Sequence, residues 1–334
     1  MIRMSFRLAS LTALVVFSVP CFQVAAQQQV PSAPAQEPSA TAAEPSAPTP
    51  ASAPVFPKPD PANFTAASPT KETVDAFLQA SWGFDENRVW QVAAIQKTAA
   101  EGVSRVTVYV GDKTGKQKPA GMQFYAMADG KHIIASDEVI SFGAHPYAEN
   151  KALVQLRADG PYRGSAAKDL EIVEFADFEC PHCKEAQANM EKLAVEFPKA
   201  RLVFQNYPLP QHKAAGPAAA YGVCVAQQGG SSAFFTYAAA VFDGQDGLAT
   251  ADGATLTLNS AVSKAGLDPA KIAACADLPA TVATVKASVK LALDLGISQT
   301  PSLIVNGRQM SPNAPFDTLK QIIQYQEKLD GITQ

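Results

Sequence analysis

The sequence predicts an α/β protein in which a small α+β segment precedes a larger α/β segment with a helical insertion. Two observations carry that class. Across residues 68–140 a helical apolar pattern gives way to runs rich in β-branched and aromatic residues, separated by glycine-containing turns. From residue 165 the order is strand, helix, strand, an alanine-rich helical block at about 213–295, a hairpin and an amphipathic helix.

The elements follow in chain order. MIRMSFR carries two arginines and no acid, and LASLTALVVFSV after it is apolar. Val24 and Ala26 then stand at the −3 and −1 positions of a cleavage site, which predicts a secretory signal over residues 1–26. The apolar run is short for a membrane span, which needs about 20 residues. An uncleaved anchor is the alternative, and a lipoprotein reading would use Cys21 after the poor context Val19-Pro20. No later run is long enough to span a bilayer, so the expected mature protein is soluble and extracytoplasmic, in a periplasm or equivalent space. Residues 27–67 hold ten of the 25 prolines and almost nothing that could form a core, which predicts an extended, disordered linker. Loss of Arg3 and Arg7 with the signal takes 27 basic residues to 25 against 31 acids, a net charge near −6. That balance argues against nucleic-acid binding.

Ser68-Pro69 reads as a helix start, and Val74, Phe77 and Leu78 recur at helical spacing. VWQVAAIQ, VSRVTVYVGD and MQFYAMADGKHIIA then predict three or four antiparallel strands, closing a small domain at 68–140. Residues 141–164 read as a connector with a short helix. The domain at 165–334 opens with a strand at Leu170–Phe175. CKEAQANMEKLAVEF follows as a helix, with Met190, Leu193, Ala194 and Phe197 on one face, and RLVFQNYPL as a second strand. The helical block is broken at Gly229-Gly230, Asp246-Gly247 and Leu267-Asp268-Pro269. Asn306-Gly307 predicts a hairpin turn, and Leu319, Ile322, Ile323 and Tyr325 mark the last helix.

The chemistry sits in ADFECPHCKEAQ, residues 176–187. Cys180 lies between a strand end and a helix start, where unpaired backbone N–H groups and the helix dipole favour a thiolate. Pro181 suits the first helical turn, and His182 would favour the thiolate by charge or by a hydrogen bond. Cys183 comes one turn on, facing the same sulfur. Cys180 is therefore the expected attacking thiol and Cys183 the resolving one. A metal site fits poorly, because Cys224 and Cys275 are isolated and His132, His145, His182 and His212 form no close pair. His212 reads as a surface or groove residue. Lys184, not histidine, follows the second cysteine, which argues against haem attachment. A purely structural clip across two residues would remove little chain entropy. No metal and no cofactor is expected.

Three further readings concern single residues. With Cys21 lost, pairing of Cys180 with Cys183 leaves Cys224 and Cys275 as a structural disulfide candidate. Two separate buried thiols are the alternative. Glu174 lies in the apolar strand Ile172-Val173-Glu174-Phe175, where an acid is costly unless it works, and a carboxylate there could relay the proton of Cys183. The alternative is a strand-edge acid facing solvent, helped by alternation with Glu171. Glu179 reads as a solvated acid beside a groove. Thr300-Pro301 opens a strand, and a cis bond there would turn the Thr300 backbone towards the cysteines. An ordinary trans proline on an edge strand is the alternative.

EFADFECPHC, the helical insertion and GISQTPSLIVNG together resemble the DsbA family of envelope thiol:disulfide interchange proteins, over about residues 165–330. The resemblance implies a thioredoxin-like fold, Cys180 as nucleophile, Cys183 as resolving cysteine, His182 as thiolate stabiliser, Glu174 as the buried acid and a cis Pro301. The segment before it resembles the cystatin-like dimerisation domain of DsbC and DsbG, which implies a homodimer through that domain. Threonine before the proline also resembles that branch, whereas Pro-His between the cysteines resembles the oxidases. The expected partners are exported, cysteine-containing unfolded or misfolded proteins and a membrane redox partner. The expected activity is thiol:disulfide oxidation, with a dimeric isomerase or reductase as the alternative and a non-enzymatic holdase as a third reading.

Overall fold

Thr70, not Ser68, caps the first helix: its hydroxyl accepts from the Thr73 N–H, and α1 spans Lys71–Trp82. The computed structural model describes residues 56–332 apart from Gln117 and Asp137. The expected export signal over residues 1–26, with Cys21, and the proline-rich residues 27–55 lie outside the described residues. Residues 56–67, expected as linker, have structure. Pro61–Asn63 form a 3₁₀ turn, and Phe64 bridges to Ile95 with its ring against the adjoining core. The Thr65 and Ala66 N–H groups also donate to the Ile95 carbonyl, so hydrogen bonds and one aromatic ring anchor this polar stretch.

Five antiparallel strands follow in spatial order β1-β2-β3-β4-β5: β1 (Arg88–Lys97), β2 (Ser104–Asp112), β3 (Ala120–Ala126), β4 (His132–Ala135) and β5 (Glu138–Ser141). β5 is a fifth strand where the sequence predicts three or four, and at four residues it is too short to leave a period-2 signature. One face of the sheet packs on α1, burying Val74, Leu78, Val92, Val106, Val108, Phe124 and Ile133. Phe77 meets Phe124 in a T-shaped contact, and Phe142 packs tilted against both rings.

The connector supplies α2 (Ala148–Arg157) and a three-residue edge strand, β6 (Tyr162–Gly164). The second sheet has the order β10-β9-β7-β8-β6. Its centre is β7 (Glu171–Ala176), parallel to β8 (Arg201–Asn206) and antiparallel to β9 (Ser302–Val305), with β10 (Arg308–Met310) on one edge. Every residue of β7, β8 and β9 is buried, so these strands show no alternation. α3 (Pro181–Glu196) joins β7 to β8.

The insertion is α4 (Ala215–Asp243), a 3₁₀ turn (Gln245–Ala249), α5 (Ala251–Lys264), α6 (Pro269–Ala276) and α7 (Pro279–Asp294). α4 is interrupted at Gly230, whose φ of 75° lies in the left-handed region that glycine tolerates. Phe178, Phe204, Phe234, Tyr237 and Phe242 pack the insertion against the end of β7. Cys224 on α4 and Cys275 on α6 form a disulfide, their Cα atoms 6.0 Å apart. α8 (Phe316–Leu329) closes the chain over the other face, burying Leu319, Ile322 and Ile323.

The β9–β10 hairpin turns at Asn306 (φ 44°) and Gly307 (φ 87°). A Cβ on Gly307 would lie 2.2 Å from the Tyr147 carbonyl oxygen, so close approach requires glycine there. Beyond the turn, the buried Arg308 guanidinium donates to the Ser81 carbonyl at 3.0 Å and to the Ala80 carbonyl, two open acceptors at the end of α1. Tyr147 stacks on the guanidinium with 4.5 Å between its carbon and the ring centroid. Tyr325 on α8 donates to the Gln79 carbonyl at 2.6 Å. Among the described residues no single helix is long and apolar enough to cross a membrane.

Candidate active site

The end of β7 delivers the chain to Cys180, the N-cap of α3, with Pro181 in the first helical position. The Cys180 carbonyl accepts from the Cys183 and Lys184 N–H groups. At this helix entry the backbone N–H groups of His182 and Cys183 also act on the Cys180 sulfur. Both thiols are free, and Cys183 is fully buried. The Thr300–Pro301 peptide is cis, and the Thr300 carbonyl oxygen lies 3.6 Å from Cys180 Sγ.

These contacts set the ionisation of the pair. The hydrogen bond from the Cys183 thiol is the largest influence on Cys180. The Thr300 hydroxyl and the backbone N–H groups of Cys183 and His182 add to it, while burial opposes them. The balance lowers the Cys180 pKa from 9.0 to about 5. Cys183 moves the other way: its bond to Cys180 and its burial hold it firmly as a thiol. One sulfur is therefore a thiolate at neutral pH and the other carries the proton.

His182 does not bond the Cys180 sulfur through its ring. The imidazole is exposed, with Nδ1 2.9 Å from Glu185 Oε2, and that carboxylate raises its pKa. The residue's hydrogen-bonding contribution to Cys180 is its backbone N–H.

Glu174 is not a strand-edge acid. β7 is central, and both Glu171 and Glu174 are buried, so alternation puts neither in solvent. Desolvation raises the Glu174 pKa to about 7 against the opposing bond from Gln187 and the attraction of Arg163. Gln187 Nε2 donates to Glu174 Oε1 at 2.8 Å and to the Cys183 carbonyl at 3.1 Å, tying the acid to the resolving cysteine's turn. Glu171 is held differently, with Arg201 Nε 3.3 Å from its carboxylate. Glu179 is also more than a solvated acid: its carboxylate accepts from the Ala214 and Ala215 N–H groups at the start of α4. Among the described residues no three His, Cys, Asp or Glu side chains converge on a metal-sized site.

A family model described as thioredoxin matches residues 157–325, half of the chain and all of the elements just described around the cysteines. The chain belongs to the thioredoxin family. Among curated proteins, the Na(+)/H(+) antiporter NhaA 3 of Salinispora tropica is 37% identical over 68 residues, 20% of this chain and 10% of that protein. The antiporter NhaA of Herminiimonas arsenicoxydans is 28% identical over 163 residues, 48% of this chain and 25% of that protein. The chain thus spans a quarter or less of these relatives. Among solved structures, a periplasmic thioredoxin-like protein from Salmonella enterica serovar Typhimurium is 21% identical, with a TM-score of 0.45 over 54% of this chain and 96% of that one. DsbA2 of Pseudomonas aeruginosa is 28% identical, with a TM-score of 0.43 over 50% and 93%.

Within this thioredoxin site, several contributors carry no strong sequence signal. Gln187 was findable, since it lies four residues after Cys183 and shares its helix face. Gln245 was not: it sits 65 residues from Cys180, yet its amide donates to the Phe178 carbonyl at 2.8 Å and the Cys180 carbonyl at 3.0 Å. Asp177 lies inside the quoted stretch, but only the fold shows that its carboxylate is buried and what it binds.

Proposed function

We propose that this protein is an extracytoplasmic thiol:disulfide oxidoreductase that works as an oxidase, donating the Cys180–Cys183 disulfide to exported proteins. The observation that carries the reading is the split between the two sulfurs, a Cys180 pKa of about 5 beside a Cys183 held as thiol. A client thiolate attacks Cys180 Sγ of the disulfide, and the Cys183 sulfur leaves and takes up a proton. Glu174, with a pKa near 7, suits the delivery of that proton. A second client thiolate then attacks the client sulfur of the mixed disulfide, and Cys180 leaves as a stable thiolate. The client gains a disulfide and the protein gains two electrons, which a membrane redox partner removes. A stabilised reduced form is what makes such a pair oxidising. The Thr300 carbonyl beside Cys180 supports pairing with an extended client segment.

A dimeric isomerase is the second reading, favoured by the edge strand β5, where Val139 and Ile140 are exposed. The reduction potential of the pair against glutathione separates the two. The oxidase predicts a value towards about −120 mV, and one near about −270 mV would overturn it. Reoxidised full-length protein should also restore disulfides to reduced, unfolded ribonuclease, and Cys180→Ser should abolish this.

A further inference from the structure

Asp177 touches both cysteines without being either the nucleophile or the acid. Its N–H donates to Cys183 Sγ at 3.4 Å, and its carbonyl accepts from the Cys180 N–H at 3.2 Å. Its carboxylate is buried and would be costly there without donors. It has three: the Glu179 N–H at 2.7 Å, the Leu209 N–H at 2.7 Å and His212 Nδ1 at 2.8 Å. Two of these come from the loop after β8, and the His212 N–H closes that loop onto the Leu209 carbonyl. The imidazole is the only side chain among the three.

We propose that Asp177 and His212 form a positioning pair that sets the redox poise of the cysteines, an inference that rests on the oxidoreductase reading above. The pair clamps the β7–α3 turn to the β8 loop. So clamped, the Asp177 backbone points its N–H at the resolving sulfur and its carbonyl at the nucleophile's N–H. Neither side chain touches the reacting sulfurs. Loss of the imidazole leaves one carboxylate oxygen short of a donor in a buried site, and the turn relaxes to rehydrate it. The N–H then leaves Cys183 Sγ, and the reduced form loses that support. The couple becomes less oxidising.

The test is the glutathione equilibrium of the full chain, read with thermal unfolding of each variant. His212→Ala is expected to shift the equilibrium constant tenfold towards the disulfide form, about 30 mV. His212→Asn, whose amide restores a donor to Asp177, is expected to recover at least half of that shift. Asp177→Asn combined with His212→Ala should shift it no further than the larger single change, because the two act as one unit. A merely structural role would lower the melting temperature and leave the equilibrium constant alone. A His212→Ala protein that folds and stays within twofold of the wild type overturns the proposal. Wild-type protein that fails to exchange with glutathione at all would instead sink the oxidoreductase reading.

Discussion

Cys180 and Glu174 are opposite solutions to burial. Cys180 is given hydrogen-bond donors, so its anion is favoured. Glu174 is given too few, so its neutral form is favoured. For reduced protein, the depressed Cys180 pKa stabilises the fold fully above 9.0, and this support is lost as pH falls through about 5. Glu174 has the other sign. Its pKa is raised from 4.5 to about 7, so its contribution is fully present below 4.5 and is lost as pH rises through 7. Glu174→Gln should therefore leave stability at pH 4 nearly unchanged and raise it at pH 8, by up to about 3 kcal/mol. The same change should slow resolution of a mixed disulfide by 10²-fold or more, the usual scale of a lost proton-transfer group. Urea unfolding at the two pH values and stopped-flow resolution of a glutathione adduct check both.

At the scale of elements, the β7–α3 junction was legible because its local signals agree: an apolar strand, two cysteines a turn apart and proline where a helix can accept it. What holds the junction was not, because Gln245, His212 and the α4 start reach it from 35 or more residues away along the chain. Strand centrality was equally invisible: an acid inside the apolar run suggests an edge strand, and only the neighbours β8 and β9 decide otherwise. The insertion was read as helical with its breaks near Gly230, Gly247 and Asp268 in place, since glycine and proline punctuate locally. The Cys224–Cys275 bridge ties α4 to α6 across 51 residues. Replacing both cysteines by serine should lower stability by about 2–4 kcal/mol, read by denaturant unfolding. The Cys180 titration should be unmoved, because the bridge is not among the groups that set it.

For the molecule as a whole, the hairpin that follows Thr300–Pro301 also anchors the N-terminal helix and sheet. Arg308 lies three residues after the last residue of β9 and holds the open end of α1, so the two sheets are joined by a buried charge and not by the connector alone. Arg308→Met should cost about 2–4 kcal/mol, since it leaves the Ala80 and Ser81 carbonyls unpaired. Amide exchange should quicken in α1 and in the β9–β10 hairpin together, while the β7–β8 pairing keeps its protection. The whole assembly, from the β7 end to the Thr300 carbonyl, converges on one property, a thiolate at Cys180. The rate of Cys180 alkylation by iodoacetamide against pH, in reduced full-length protein, reads that property directly. A single inflection near pH 5 is the predicted result, and an inflection near 8.5 to 9, that of an ordinary thiol, would contradict it.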